Sequence, residues 1–258
     1  MGRSRKRRIA GSVLAAFTLA GAVFGAWLLT RDAGPTGWNV VLVSVDTLRA
    51  DHLSCYGATE LQTPNMDRLA SEGVLFENVS TVAPTTLPSH ASLLTGLTPL
   101  VHGVHDNVGF YLDPRFPTLA AHLKSRGYET GAFIGAFVLD SRFGLDRGFD
   151  VYDDDVEGGE EDPSGFVAQR PGDEVLDSAL SWLRLRTDSK HPFFAFLHFY
   201  DPHTPYEPKE GYRGEVAHVD SLVGRLLSFL DERGLSEGTL VALTADHGES
   251  LGEHGEAT

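Results

Sequence analysis

The sequence predicts an α/β fold, with a mostly parallel sheet and helices on both faces. Three observations carry this. Three runs, NVVLVSV at Asn39–Val45, FFAFLHFY at Phe193–Tyr200 and TLVALTA at Thr239–Ala245, are short, apolar and rich in β-branched or aromatic residues, as buried strands are. Segments of helical periodicity separate them. The first and last runs end directly in carboxylates, Asp46 and Asp246, and ligands of parallel sheets bind beyond the carboxyl ends of the strands.

The elements follow in order. Residues 1–8 (MGRSRKRR) carry five basic side chains, and Ile9–Thr30 then runs 22 residues without a charge. That length spans a bilayer, and the basic flank keeps the first end cytoplasmic. Segment 9–30 is expected to be an uncleaved membrane anchor, with a cleaved signal peptide as the rival. It contains no cysteine to carry a lipid. Residues 31–37 are a linker, and one folded domain is expected over 38–258, outside the cytoplasm. A strand covers Trp38–Val45. Thr63-Pro64 starts a helix through Ser71, Gly73 ends it, and Val74–Val79 reads as a strand. Pro117–Arg126 is a helix with Pro in its first turn and Gly127 after its end. Tyr128–Phe133 is a strand, Glu174–Arg186 and Glu215–Arg233 are helices, and Leu240–Ala245 is the last strand. Asp153–Asp162 (DDDVEGGEED) reads as a solvated loop, without the ligand spacing of a cation site.

Val82–Gly96 (VAPTTLPSHASLLTG) is turn chemistry followed by a helix opening. Ser89 is the expected N-cap, Ala91, Leu93 and Leu94 the helical residues, and Gly96 the stop. Thr86 then sits just ahead of helix N–H groups, where an anion is favoured. Its hydroxyl is a nucleophile if a metal or base takes its proton. By itself the stretch favours plain loop and cap residues; the two strand ends change that balance. Asp46, Asp246 and His247 would meet beyond the sheet, and two carboxylates with one imidazole suit zinc or manganese with an open position for substrate.

These pieces resemble the alkaline phosphatase/sulfatase superfamily. The matching stretches are VDTLRADHLSCYG (Val45–Gly57), TPNMDRLASEGVLFENV (Thr63–Val79), TTLPSHASLLTG (Thr85–Gly96), HGVHDN (His102–Asn107), DPHTPY (Asp201–Tyr206) and TADHGESLGEHG (Thr244–Gly255), in order over residues 38–258. The resemblance implies an alkaline-phosphatase-like fold. Relatives usually continue past the metal motif, so the chain is expected to be the N-terminal part of a longer domain, with an uncovered sheet edge.

The resemblance also frames the chemistry. Sulfatases convert a Cys or Ser in C/S-x-P-S-R to formylglycine; here the place reads Thr86-Leu87-Pro88-Ser89-His90, and threonine cannot give that aldehyde. The arginine is His90, the paired aspartates are Asp46-Thr47, and the lysine–histidine element is absent from GAFVLD at Gly135–Asp140. The pattern resembles the phosphodiesterase and phosphoethanolamine-transferase branches, which use threonine in T-x-P-N/S-H. The phosphodiesterase relatives place a phosphate-holding asparagine about twenty residues on, where Asn107 lies. The implied metal ligands are Asp46, Thr86, Asp246 and His247. Thr86 attacks, a phosphothreonine forms, and water or an acceptor alcohol releases it. One ion is expected. A second is possible, with Asp201 and His254 as candidates for it or for substrate; His254 is as readily a solvated loop residue. His203 is expected to contact the substrate or protonate its leaving group. His90 is either a phosphate contact or a helix-surface residue, and His102 and His105 are structural.

Composition narrows the alternatives. Net charge is −15, and without the five basic residues of the first eight, 16 basic side chains stand against 36 acidic ones. That argues against nucleic acid as a partner. No G-x-x-x-x-G-K-S/T run offers a nucleotide loop. The one cysteine, Cys55, excludes an internal disulfide and reads as packed. The leading expectation is a membrane-anchored, metal-dependent phosphoester hydrolase or transferase acting on a small-molecule, lipid or glycan ester. The alternatives are a sulfatase working without formylglycine, for which calcium would be the metal, and an inactive truncated relative. The pocket walls are expected from Val108–Arg115 and Val151–Arg170.

Overall fold

The computed structural model describes residues 37–156, 169–206, 211–253 and 255. The chain divides into two units, Met1–Thr36 and Gly37–Thr258. The first unit, which holds segment 9–30, lies outside the described residues, as does His254. Among the described residues no helix is long and apolar enough to cross a membrane.

Among the described residues five strands form one sheet: β1 (Asn39–Val45), β2 (Glu129–Phe133), β3 (Val151–Asp153), β4 (Phe193–Phe199) and β5 (Thr239–Ala245), in the order β3-β2-β4-β1-β5. Every pairing between them is parallel. The helices are α1 (Pro64–Glu72), α2 (Thr86–Thr95), α3 (Pro99–His102), α4 (Leu119–Lys124), α5 (Gly172–Arg184) and α6 (Gly211–Glu232).

Strand alternation divides the interior. On β4, Phe193, Ala195, Leu197 and Phe199 face a core with Leu176 and Leu183 of α5 and Leu222 and Leu226 of α6. Phe194 and Phe196 face the opposite core, with Leu87, Ala91 and Leu94 of α2 and Ala120 of α4. Helices therefore cover both faces, as the sequence predicts, and β4 is buried along its whole length. Each leucine or phenylalanine among them, removed from water, contributes about 1.5–3 kcal/mol.

Register then sets the site. Val45 pairs with Ala245 on one side and Phe199 on the other. Asp46, Asp246 and Tyr200 consequently leave three neighbouring strands at one level, and Asp46 N donates to Phe199 O at 2.9 Å.

Several expectations are corrected. Val74–Val79 is not a strand; Val74, Phe76 and Val79 stand exposed and pair with nothing in the sheet. Its apolar residues follow a strand pattern, but no described strand pairs with it. Ser89 is not the cap of α2. Thr85, in an extended conformation, holds that place, so Thr86 is the first helical residue and Ser89 lies inside the helix. Pro at position 88 favours an early start, because the first turn needs no donor there. The end is as expected, with Gly96 left-handed at φ 69°. Asp153, the first residue of the acidic run, is not loop but the last residue of edge strand β3, which pairs with β2.

Candidate active site

Thr86 is held from two directions. Asn107 Oδ1 accepts from Leu87 N at 2.8 Å, doing for α2 what the Thr85 side chain does not. His90, one turn on, has Nδ1 2.8 Å from the Thr86 carbonyl. The Thr86 hydroxyl donates to Asp46 Oδ2 at 3.3 Å and lies 3.4 Å from His247 Nε2.

Asp46, Asp246 and His247 converge there, each offering a ligand atom within 4.8 Å of the others. His247 Nε2 is 3.6 Å from Asp46 Oδ1 and 3.4 Å from Asp246 Oδ2. Its Nδ1 sits 2.9 Å from Gly248 O, which turns the Nε2 lone pair toward the carboxylates. Asp46 Oδ1 and Asp246 Oδ2 are buried without a hydrogen-bond partner. Burial, then the Asp246 charge, pushes the Asp46 carboxyl up to about 8, with His203, His247 and the Thr86 hydroxyl pulling the other way. Two interior carboxylates with orphaned oxygens and an imidazole nitrogen aimed between them have the donor set of a divalent cation, and these residues fit one.

The backbone around them is fixed. Asp246 Oδ1 accepts from Thr47 N and from its neighbour His247 N, at 3.2 and 2.8 Å. Asp246 O accepts from Ser89 Oγ at 2.7 Å. Thr47 is left-handed at φ 54°, a conformation that β-branched residues avoid. Its carbonyl accepts from Tyr212 Oη at 2.8 Å. Strain of this kind persists only where surroundings hold it.

The other predicted residues divide. His203 lies beside the cluster, stacked on Tyr200 with centroids 4.5 Å apart and Nδ1 2.9 Å from Tyr200 Oη. Asp201 is in neither acidic–imidazole cluster; it accepts from Gly172 N at 3.1 Å, at the start of α5. His90 is corrected: it is neither a helix-surface residue nor open to substrate, because it is buried with Nε2 2.9 Å from Ser44 Oγ. A cleft of about 610 Å³ adjoins, lined among others by Arg170, Tyr200, Asp201, His203 and His218. Of the expected pocket walls, Val151–Arg170 contributes to this cleft only through Gln169 and Arg170 among the described residues.

One residue was missed by sequence reasoning. His198, on β4, is wholly buried, and its Nε2 is 3.6 Å from Asp46 Oδ2. With His90 and Asp246 it forms a second cluster. Burial pushes both imidazoles down to about 4, so they are neutral. Alternation along FFAFLHFY places His198 opposite Phe199 and on the α2 face, and that signal was available.

Comparison with known proteins places the chain in a family and a fold. The family model described as Sulfatase matches residues 38–258. The steryl-sulfatase of Mus musculus is 30% identical, over 98% of this chain and 58% of its own length. The ulvan-active sulfatase of Formosa agariphila is 26% identical, over 93% and 56%. The crystal structure of the phosphonate monoester hydrolase of Agrobacterium radiobacter superposes with a TM-score of 0.70 at 24% identity, over 85% of this chain and 64% of that one. The last likeness concerns the fold. The chain spans a little over half the length of the two curated relatives.

Proposed function

The chain belongs to the sulfatase family of the alkaline phosphatase superfamily, and on that premise we propose that its site cleaves an oxyacid ester with Thr86 as the attacking group. The observation that carries this is the Thr86 hydroxyl, 3.3 Å from Asp46 and 3.4 Å from His247 at the mouth of a carboxylate–imidazole cluster.

A divalent ion held by Asp46, Asp246 and His247 would lower the pKa of the Thr86 hydroxyl and clamp charge on the ester. The imidazole favours zinc or manganese; calcium takes oxygen ligands. The chain's own residues do the rest. Helix α2 fixes Thr86, and Asn107, bonded to Leu87 N through Oδ1, keeps its Nδ2 to donate to an ester oxygen. Thr86 Oγ1 bonds to the central atom as the leaving alcohol departs. His203, oriented by Tyr200, gives that alcohol its proton. Water or an acceptor alcohol then takes the group from Thr86.

The curated relatives are named as sulfatases, one steryl and one ulvan-active, and they support a sulfuric ester as the first substrate class. One residue supports a second reading. Threonine at position 86 cannot become the formylglycine that sulfatases use, and a threonine oxygen suits phosphorus through a phosphothreonine. Segment 9–30 is proposed as the membrane anchor that holds the domain outside the cytoplasm. Protease added to intact cells should then digest the domain.

The test is side-by-side turnover of an aryl sulfate, an aryl phosphodiester and a phosphomonoester by the full chain with zinc, manganese or calcium. Faster sulfate cleavage assigns the sulfatase reading. Thr86-dependent phosphodiester cleavage with trapped phosphothreonine assigns the other. No turnover of any of them with any ion overturns both.

A further inference from the structure

Strand β4 is the most apolar segment of the sheet, and it carries one side chain that does not belong in an apolar strand. His198 is 0% exposed, and neither of its ring nitrogens has a hydrogen-bond partner. Leaving buried polar atoms unpaired costs about 1–3 kcal/mol each, which a phenylalanine or leucine in its place would avoid. Its position explains the exception. Ser44 of β1 is its register partner. His90 of α2 stacks on it edge-on, centroids 4.8 Å apart, and reaches Ser44 Oγ at 2.9 Å. The two rings thus lie side by side beneath the two carboxylates. His198 Nε2 is 3.6 Å from Asp46 Oδ2, and His90 Nδ1 is 3.6 Å from Asp246 Oδ2.

His90 is already committed, since its two nitrogens meet the Thr86 carbonyl and Ser44. His198 is not. At 3.6 Å it is short of a hydrogen bond to Asp46, and a small rotation of that carboxylate closes the gap. Carboxylates that bind ions are themselves oriented by neighbouring donors, whose loss typically costs 10–100-fold in affinity.

We propose that His198 is a positioning residue for the metal site: its imidazole, on the floor of the cluster, orients Asp46 for the ion. This rests on the reading of Asp46, Asp246 and His247 as ligands. The same geometry excludes His198 as a substrate contact, because it has no exposed surface.

Zinc alone, titrated calorimetrically into the metal-free full chain, tests it, with thermal melting of the metal-free protein alongside. His198→Leu is expected to weaken zinc binding by about 10–100-fold while the metal-free protein melts no lower than wild type, since two unpaired polar atoms are gone. His198→Gln, which returns a donor near the Nε2 position, is expected to recover part of the affinity. Unchanged zinc affinity in His198→Leu overturns the proposal. So does a fall in affinity matched by a fall in metal-free melting, which marks a packing role. Two zinc ions in wild type and one in His198→Leu overturn it too, in favour of a second ion at His90, His198 and Asp246. Wild type that binds no zinc, or binds it undiminished in Asp246→Ala, overturns the ligand reading itself, which separates the two failures.

Discussion

Thr86, Asp46 and the two buried histidines set the predictions at the scale of single residues. Thr86→Ala removes the attacking oxygen and leaves Asp46, Asp246 and His247 in place. Turnover is expected to fall about 10³-fold or more with bound metal unchanged; elemental analysis beside a rate assay checks both, and undiminished turnover would sink the mechanism. Between pH 4 and 8 three buried groups carry the largest shifts in the metal-free protein. His90 and His198 are neutral in the fold and pushed down to about 4, so the unfolded chain binds more protons between about 4 and 6.5 and stability rises with pH there. Asp46 is pushed up to about 8, so the fold holds the extra proton between about 4 and 8 and stability falls with pH. The histidines outnumber it up to about 6.5, beyond which only the fall remains. Metal-free melting temperature is expected to peak near pH 6.5 and decline toward pH 8. A flat profile over that last interval would contradict the assignment.

At the scale of elements, β4 and α1 are held by different means. Phe196 is fully buried between β4 and α2, so Phe196→Ala is expected to cost about 3–5 kcal/mol in urea unfolding. Helix α1 has no side-chain cap from Thr63. Its first donors instead find buried Asp220 of α6, whose carboxylate accepts from Asn65 N at 3.1 Å and Met66 N at 2.9 Å. Asp220→Ala orphans them and is expected to cost about 1–3 kcal/mol, measured the same way. The contrast marks what sequence could see. Gly96 ending α2 is a local signal and was legible; Thr118, which caps α4 by accepting from Ala121 N, was read as a residue within the helix Pro117–Arg126. The caps that Asn107 and Asp220 supply come from distant parts of the chain, and no local pattern contains them. Val74–Val79 fails for the same reason: its residues suit a strand, but a strand exists only where a partner edge receives it.

At the scale of the whole molecule, metal and fold are linked. If the ion binds the folded chain alone, zinc at 100 times its dissociation constant adds about 2.7 kcal/mol. Chelation should then lower the melting temperature by roughly 5–10 °C; no shift would count against a resident ion. The sequence by itself marked β1, β2, β4 and β5, because short apolar runs between helical segments have strand length, though not β3; it named Asp46, Asp246 and His247 from the strand ends, and Thr86 only beside them and through the family resemblance. Only the tertiary structure decided what lies beneath and beside them. The parallel register set Ser44 against His198 and turned His90 inward, and the start of α5 drew Asp201 to Gly172 N. Those assignments depend on which faces meet across some 30 to 200 residues of chain, and packing, not local preference, chooses them.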